Sequence, residues 1–226
     1  MPSFREHKEL LALWERFPAL ERLEPGAGRL ALTFDDGPEQ DATPAVLDAL
    51  DAIGARATFF LLGEQLMRDT GLGREVAARG HEIALHGFGH DHHEDLSPQQ
   101  ARDDLARGLG AVEAATGHRP LLYRPPYGRF SEHSHEACRA LELRPVYWSA
   151  WGQDWDTIAP ERIAELVIRD LTDGAIVLLH DSPRYADRPS AEPTATALTP
   201  VAAGAVDAGL TLVTLSDALS TPSAAS

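Results

Sequence analysis

A distorted or incomplete (β/α) barrel of about seven parallel strands is what this sequence predicts, and three observations predict it. Short apolar runs alternate with helical segments about seven times along the chain, as expected of a parallel sheet with helices outside it. Those runs are apolar throughout, which suits strands covered on both faces. The polar residues with chemistry to offer follow several different strands. A barrel gathers all strand C-termini onto one rim, so it fits better than a doubly wound sheet.

The elements follow in order. Ser3-Phe4-Arg5-Glu6 reads as a capping box. Leu10, Leu13, Trp14 and Phe17 then recur at helical spacing among Glu9, Glu15 and Arg16. Residues 1–28 are therefore expected to supply a short amphipathic helix, stopped before Pro18, that packs on the domain of residues 29–226. Residues 29–34 read as the first strand. Thr43-Pro44 offers an N-cap and a first-turn proline for a helix to about Ile53. Residues 57–62 are a buried strand, 65–79 a helix, and 82–85 the third strand. Ser97-Pro98-Gln99-Gln100 is a second capping box, opening a helix to about Thr116. A short strand over 121–123, a helix over 131–141, a strand over 145–148 and a helix over 160–171 come next. A strand over 175–179, a helix over 200–208 and a strand over 210–215 complete the pattern. Residues 182–199, rich in Pro, Ala and Ser, read as a long loop on the active rim. The tail after Leu219 reads as frayed.

Length and composition narrow the function. A chain of 226 residues can bury a full core. A net charge of −15 counts against nucleic acid, anionic membranes and, less firmly, polyanionic substrates. The single Cys138 has neither a disulfide partner nor a metal-ligand partner and reads as a small core residue. No stretch is long and apolar enough to span a bilayer, and the N-terminus does not read as a signal peptide. The expected location is the cytoplasm.

The most informative string is Leu32-Thr33-Phe34-Asp35-Asp36-Gly37-Pro38. Neighbouring side chains in a strand point to opposite faces. Asp35 and Asp36 can share a site only if the chain leaves the strand there, as Gly37 and Pro38 allow. Two crowded acids repel unless a cation lies between them or one is protonated. Alone, the string could be a solvated turn. Further on, His86 and His90 stand four apart in His-Gly-Phe-Gly-His, close enough to share a cation on a tight loop. Arg124-Pro125-Pro126-Tyr127-Gly128, Asp154-Trp155 and Leu178-Leu179-His180-Asp181 each lie at or beyond a strand. His92 and His93 read as part of a solvated loop. His133 and His135 read as surface residues, and His81 and His118 as lying near strand starts, away from the chemistry.

These five ordered segments resemble the polysaccharide deacetylases, the carbohydrate esterases of family four, over roughly residues 29–216. The Ala57-Thr58-Phe59-Phe60 strand and Gly63 are similar too. The resemblance implies that Asp35 is the general base and that Asp36, His86 and His90 hold one divalent metal. It implies that Arg124 orients Asp35, and that Asp154 orients His180, the general acid. The backbone N–H of Tyr127 would help bind the oxyanion, and Leu178 and Trp155 would wall the acetyl pocket. Zinc is the default ion for such ligands, with cobalt, nickel and iron as candidates. Two positions depart from the family pattern. Gly87 stands where Ser or Thr is usual, and Trp151 stands where an acidic residue is frequent. Trp151, with Trp155 and Tyr127, offers an aromatic rim on which a sugar ring can stack, whereas Trp148 reads as core.

The chemistry supports those roles independently. Amide hydrolysis needs a nucleophile, charge stabilisation on the carbonyl oxygen and a proton for the leaving amine. Two His and one carboxylate leave open positions on a divalent ion. A His backed by Asp is oriented and ready to carry a proton. The expected function is metal-dependent removal of N- or O-acetyl groups from a saccharide. The expected partners are an acetylated saccharide or a small amide. A deformylase or cyclic-amide hydrolase on the same fold is the alternative. An inactive glycan-binding relative is another, although every inferred catalytic position is filled. Iron oxygenases share the ligand set but sit on all-β scaffolds, and there is no G-x-S-x-G elbow.

Overall fold

The computed structural model describes residues 4–220, with side chains from residue 9 onward. Its elements run α1 (Phe4–Arg16), β1 (Arg29–Asp35), α2 (Thr43–Ala52), β2 (Thr58–Leu62), α3 (Gly63–Arg68), α4 (Thr70–Ala78) and β3 (Glu82–Gly87). Then come α5 (Pro98–Thr116), β4 (Leu122–Tyr123), α6 (Glu132–Ala140), β5 (Arg144–Pro145), β6 (Ala150–Trp151) and α7 (Pro160–Asp170). Finally come β7 (Ile176–His180), α8 (Glu192–Asp207), β8 (Thr211–Leu212) and α9 (Leu215–Ser220). The strands lie in the order β5-β4-β3-β2-β1-β7-β6, all parallel, with β8 beside the start of β1. This is the distorted β/α barrel that the alternation predicts.

The centre of the sheet is buried as its unbroken apolar runs require. Every residue of β2, and every residue of β1 after Arg29, is buried. The distortion is local. The expected strand over 145–148 is split in two, because the same stretch serves both edges of the sheet. β5 pairs with β4, and β6 pairs with β7. Between them Val146 N–H still bonds to Tyr123 O, and Ser149 N–H already bonds to Ile176 O. The segment after α1 fills the opening. Leu20 exchanges bonds with Pro145 and Tyr147, and Leu23 N–H reaches Gly174 O. α1 follows with Trp14 and Phe17 buried. The Trp14 ring stacks on Tyr147 at 4.3 Å, and its Nε1–H donates to Gly128 O at 3.0 Å.

Other boundaries differ for identifiable reasons. The helix expected over 65–79 breaks at Asp69, whose carboxylate accepts from Gly71 and Leu72 N–H and caps α4. The supposed loop over 182–199 ends at residue 191. Pro193 lies in the first turn of α8, where its missing N–H costs nothing, and Pro200 sits inside that helix instead of opening it. The last strand is only Thr211–Leu212, after which the chain turns into α9. Ser97 and Gln100 form the expected capping box, and Ser131 and Ser134 form another at the start of α6. The Ser3 capping box and the tail beyond Ser220 lie outside the described residues. Among the described residues no helix is long and apolar enough to cross a membrane.

Candidate active site

The site is built at the end of β1. Asp35 keeps strand geometry and sits beside Phe60 of β2 and His180 of β7. The chain then leaves the sheet, but the residue that turns is Asp36, with φ 79°. Gly37 is needed for space and not for its φ. A Cβ there would lie 2.1 Å from Asp181 Oδ2. The Asp181 carboxylate accepts from Gly37 N–H at 3.1 Å and from Thr43 Oγ1 at 2.7 Å. Thr43, expected as an N-cap, thus spends its hydroxyl on the turn, and α2 has no side-chain cap. Burial pushes Asp181 up to about 7, partly opposed by the Thr43 bond.

Asp36, His86 and His90 converge. His86 Nε2 lies 3.3 Å and His90 Nε2 3.1 Å from the same oxygen, Asp36 Oδ1. The ligand atoms of the three residues all fall within 4.8 Å of one another. His86 Nδ1 lies 2.8 Å from Arg124 O. A carbonyl only accepts, so Nδ1 carries a proton and Nε2 is the nitrogen that faces Asp36. Burial opposes the charge on Asp36, but His86, His90 and His180 outweigh it and hold the carboxyl well below its usual range. Asp36 Oδ1 is buried without a hydrogen-bond partner among the described residues. A buried carboxylate oxygen facing two ring nitrogens is costly unless a cation joins them. The donor set therefore fits a divalent metal, and two nitrogens with one oxygen suit a zinc-like ion better than magnesium or calcium.

Two ion pairs stand beside this cluster. Arg124, fully buried, donates from Nη1 to Asp35 Oδ1 at 2.7 Å and to Thr33 Oγ1 at 2.9 Å, and from Nη2 to Tyr147 O at 2.9 Å. Its guanidinium lies 4.1 Å from the centroid of the Phe60 ring. On the β7 side, His180 Nδ1 donates to Asp154 Oδ1 at 2.8 Å. The other Asp154 oxygen accepts from His180 N–H at 2.9 Å and Thr194 Oγ1 at 2.7 Å, with Arg188 Nη1 at 3.4 Å. Burial works against a charged His180. The Asp154 carboxylate, with Asp36 and Asp35 beyond it, prevails and raises the imidazole to about 9.

A cavity of about 450 Å³ opens over these groups. Tyr127, Trp148, Trp151, Trp155, Leu178 and Tyr185 are among its lining residues. Tyr127 holds φ 59° within the short turn Pro126–Gly128, and its ring stacks on His92 at 3.8 Å. Trp148 is both core and wall: it is 7% exposed, meets Trp14 edge-on and still reaches the cavity. Several surrounding residues escaped the sequence reading. Tyr185 stacks on His90 at 4.2 Å and donates to Glu64. Its position in the rim loop was the only signal. Arg188 and Thr194 surround Asp154 from the loop and from α8, and nothing in their local sequence marks them. His93 is not in a solvated loop. It is fully buried beside the Tyr123 hydroxyl at 3.2 Å, and burial lowers its pKa to about 3. His135 is half-buried against Phe17 and Phe130 instead of lying on the surface. His81 is buried at a strand start, as its position suggests, and accepts from Ala57 N–H. Cys138 is buried.

Comparison with known proteins gives the family. The model of the family described as polysaccharide deacetylase matches residues 22–146, more than half of the chain. A peptidoglycan-N-acetylglucosamine deacetylase of Listeria monocytogenes is 35% identical over 153 residues, covering 68% of this chain and 32% of that protein. The matched stretch thus spans about a third of that relative's length. A chitooligosaccharide deacetylase of a Bradyrhizobium strain is 34% identical over 157 residues, covering 69% of this chain and 72% of that protein. Among solved structures, the Bc1960 peptidoglycan N-acetylglucosamine deacetylase superposes with a TM-score of 0.83 at 26% identity. That match covers 90% of this chain and 94% of the other.

Proposed function

The chain belongs to the polysaccharide deacetylase family, and on that premise we propose that it is a metal-dependent hydrolase removing N- or O-acetyl groups from a saccharide. One observation carries the reading. A buried Asp-His-His cluster has a carboxylate held by Arg124 and an imidazole held by Asp154 on adjacent strands beside it.

Asp36, His86 and His90 would hold one divalent ion, zinc by default and cobalt, nickel or iron as alternatives. Bound there, it would supply Lewis acidity, which lowers the pKa of a water toward about 7 and draws charge from a carbonyl oxygen. Asp35, aimed by Arg124, accepts the proton of the attacking water. His180, held by Asp154, gives a proton to the leaving amine or alcohol. The backbone N–H of Tyr127 donates to the developing oxyanion. Leu178 and Trp155 wall the acetyl methyl, and Trp151 and Tyr127 offer ring faces to a sugar. Among the described residues that line the cavity there is no Lys or Arg. That lining supports an uncharged saccharide over one bearing a carboxylate.

The test is acetate release by the metal-loaded protein. Substrates would be N-acetylglucosamine oligomers, acetylated xylose oligomers, a formylated amino sugar and allantoin. Acetate should appear from the acetylated sugars, stop on chelation and return with zinc. His86→Ala should lose both metal uptake and turnover. Turnover of the formyl compound or the cyclic amide alone, followed through its own product, would overturn the deacetylase reading.

A further inference from the structure

The two histidines of the cluster are joined by Gly87-Phe88-Gly89, a stretch that glycine leaves with little stiffness of its own. What holds it comes from one face of α5. Phe88 N–H donates to Asp104 Oδ2 at 3.1 Å and Gly89 N–H donates to Asp104 Oδ1 at 2.9 Å. One turn further along the helix, the Arg107 guanidinium lies 3.7 Å from the centroid of the Phe88 ring. At Gly108 a Cβ would lie 2.7 Å from the Gly87 carbonyl oxygen, so only glycine lets the helix approach this closely. Positions 104, 107 and 108 share a helix face. The Phe88 carbonyl is taken as well, by Glu64 N–H at 2.9 Å.

Gly87 completes the fit. Its φ is +119°, and a Cβ there would lie 2.9 Å from Asp104 Oδ2. The carboxylate thus occupies the space that a side chain at 87 would take. Behind it, buried His93 sits with Nε2 3.8 Å from Asp104 Oδ2 and closes the far side.

We propose that Asp104 is a positioning residue for the metal site: its carboxylate bonds to both N–H groups between the histidines and so sets where His86 and His90 stand. It acts through the loop and not by contact with metal or substrate. The inference rests on the metal reading above. Removing a partner that orients a ligand typically weakens metal binding about 10- to 100-fold. Zinc affinity would be measured by competition with a chromophoric chelator for the wild type, Asp104→Asn and Asp104→Ala. Thermal unfolding of the metal-free proteins would be followed in parallel. Both variants should bind zinc at least about tenfold more weakly. The asparagine variant keeps the side chain's shape and guards against loss of fold. Unchanged zinc affinity in both variants, with only a lower Tm, would make Asp104 a plain structural residue and overturn the proposal. A wild-type protein that takes up no divalent ion would instead overturn the metal reading beneath it.

Discussion

Two buried ion pairs converge on the same rim, and they are built from opposite choices. In the pair Asp35–Arg124 the supporting group is a permanent cation. Its fork reaches three acceptors on two segments, Thr33 and Asp35 of β1 and Tyr147, and its plane rests on Phe60. In the pair Asp154–His180 the anion is a fully buried carboxylate, and its partner is an imidazole that titrates. Burial opposes the Asp154 charge, but His180, Arg188 and Thr194 prevail and hold its pKa below the usual value. His180 itself keeps 12% of its side chain exposed, toward the cavity. The difference matches the role proposed for each side. Arginine stays charged at any working pH, so the aim of Asp35 does not vary. Histidine beside a fixed anion keeps a proton that it can release. Asp35 and His180 are register neighbours on β1 and β7.

That contrast can be broken most sharply at Asp35. Replacing it by Asn keeps the shape but removes the proton acceptor. Turnover should fall by about ten-thousandfold, the upper end for acid–base groups, while zinc affinity stays near wild type and Tm falls because buried Arg124 loses its anion. A loss below about tenfold would show that Asp35 is only a partner for Arg124. The next effect is selective. His180→Ala should cost about a hundred- to a thousandfold on an N-acetyl amide and far less on an aryl acetate, because a phenolate leaves without a proton and an amine does not. Equal losses on both substrates would remove His180 from the role of general acid.

The third effect is thermodynamic and concerns the metal-free protein. The folded pKa of His180, about 9, lies above its ordinary 6.5. The folded state therefore binds this proton more tightly than the unfolded chain. The resulting stability is complete below pH 6.5 and is lost as pH rises through about 9. Its size is on the order of 3 kcal/mol. Urea unfolding in the presence of chelator should show wild type losing its advantage over His180→Ala across that window. A pH-independent difference between the two proteins would mean that Asp154 does not hold His180 charged.

Much of the site was legible because its signals are local. An apolar strand that runs into Asp35-Asp36-Gly37-Pro38 must end there, and two histidines four apart on a tight loop must lie close together. The reason assigned to Gly37 was wrong, however. The turn strains Asp36, while Gly37 makes room for Asp181. Only packing reveals such a requirement. The reading of 182–199 failed for a related reason. A stretch rich in Pro, Ala and Ser looks like a loop, yet its second half gains helix by packing Ala195, Ala197, Leu198 and Val201 into the core.

By itself, then, the sequence determined the parallel β/α alternation, the capping box at Ser97 and the chemical identity of the groups on the rim. Strand period, turn chemistry and residue type act over a few positions and need no distant partner. The tertiary structure alone decided which polar atoms are satisfied by what. It brought Arg188 and Thr194 to the second oxygen of Asp154, Tyr185 onto the ring of His90, Asp104 to the loop between the histidines, and His93 out of solvent. Each of these pairs joins elements that the fold places side by side. The ring stack aside, each is fixed by the demand that buried donors and acceptors find partners, which no single stretch of sequence can meet.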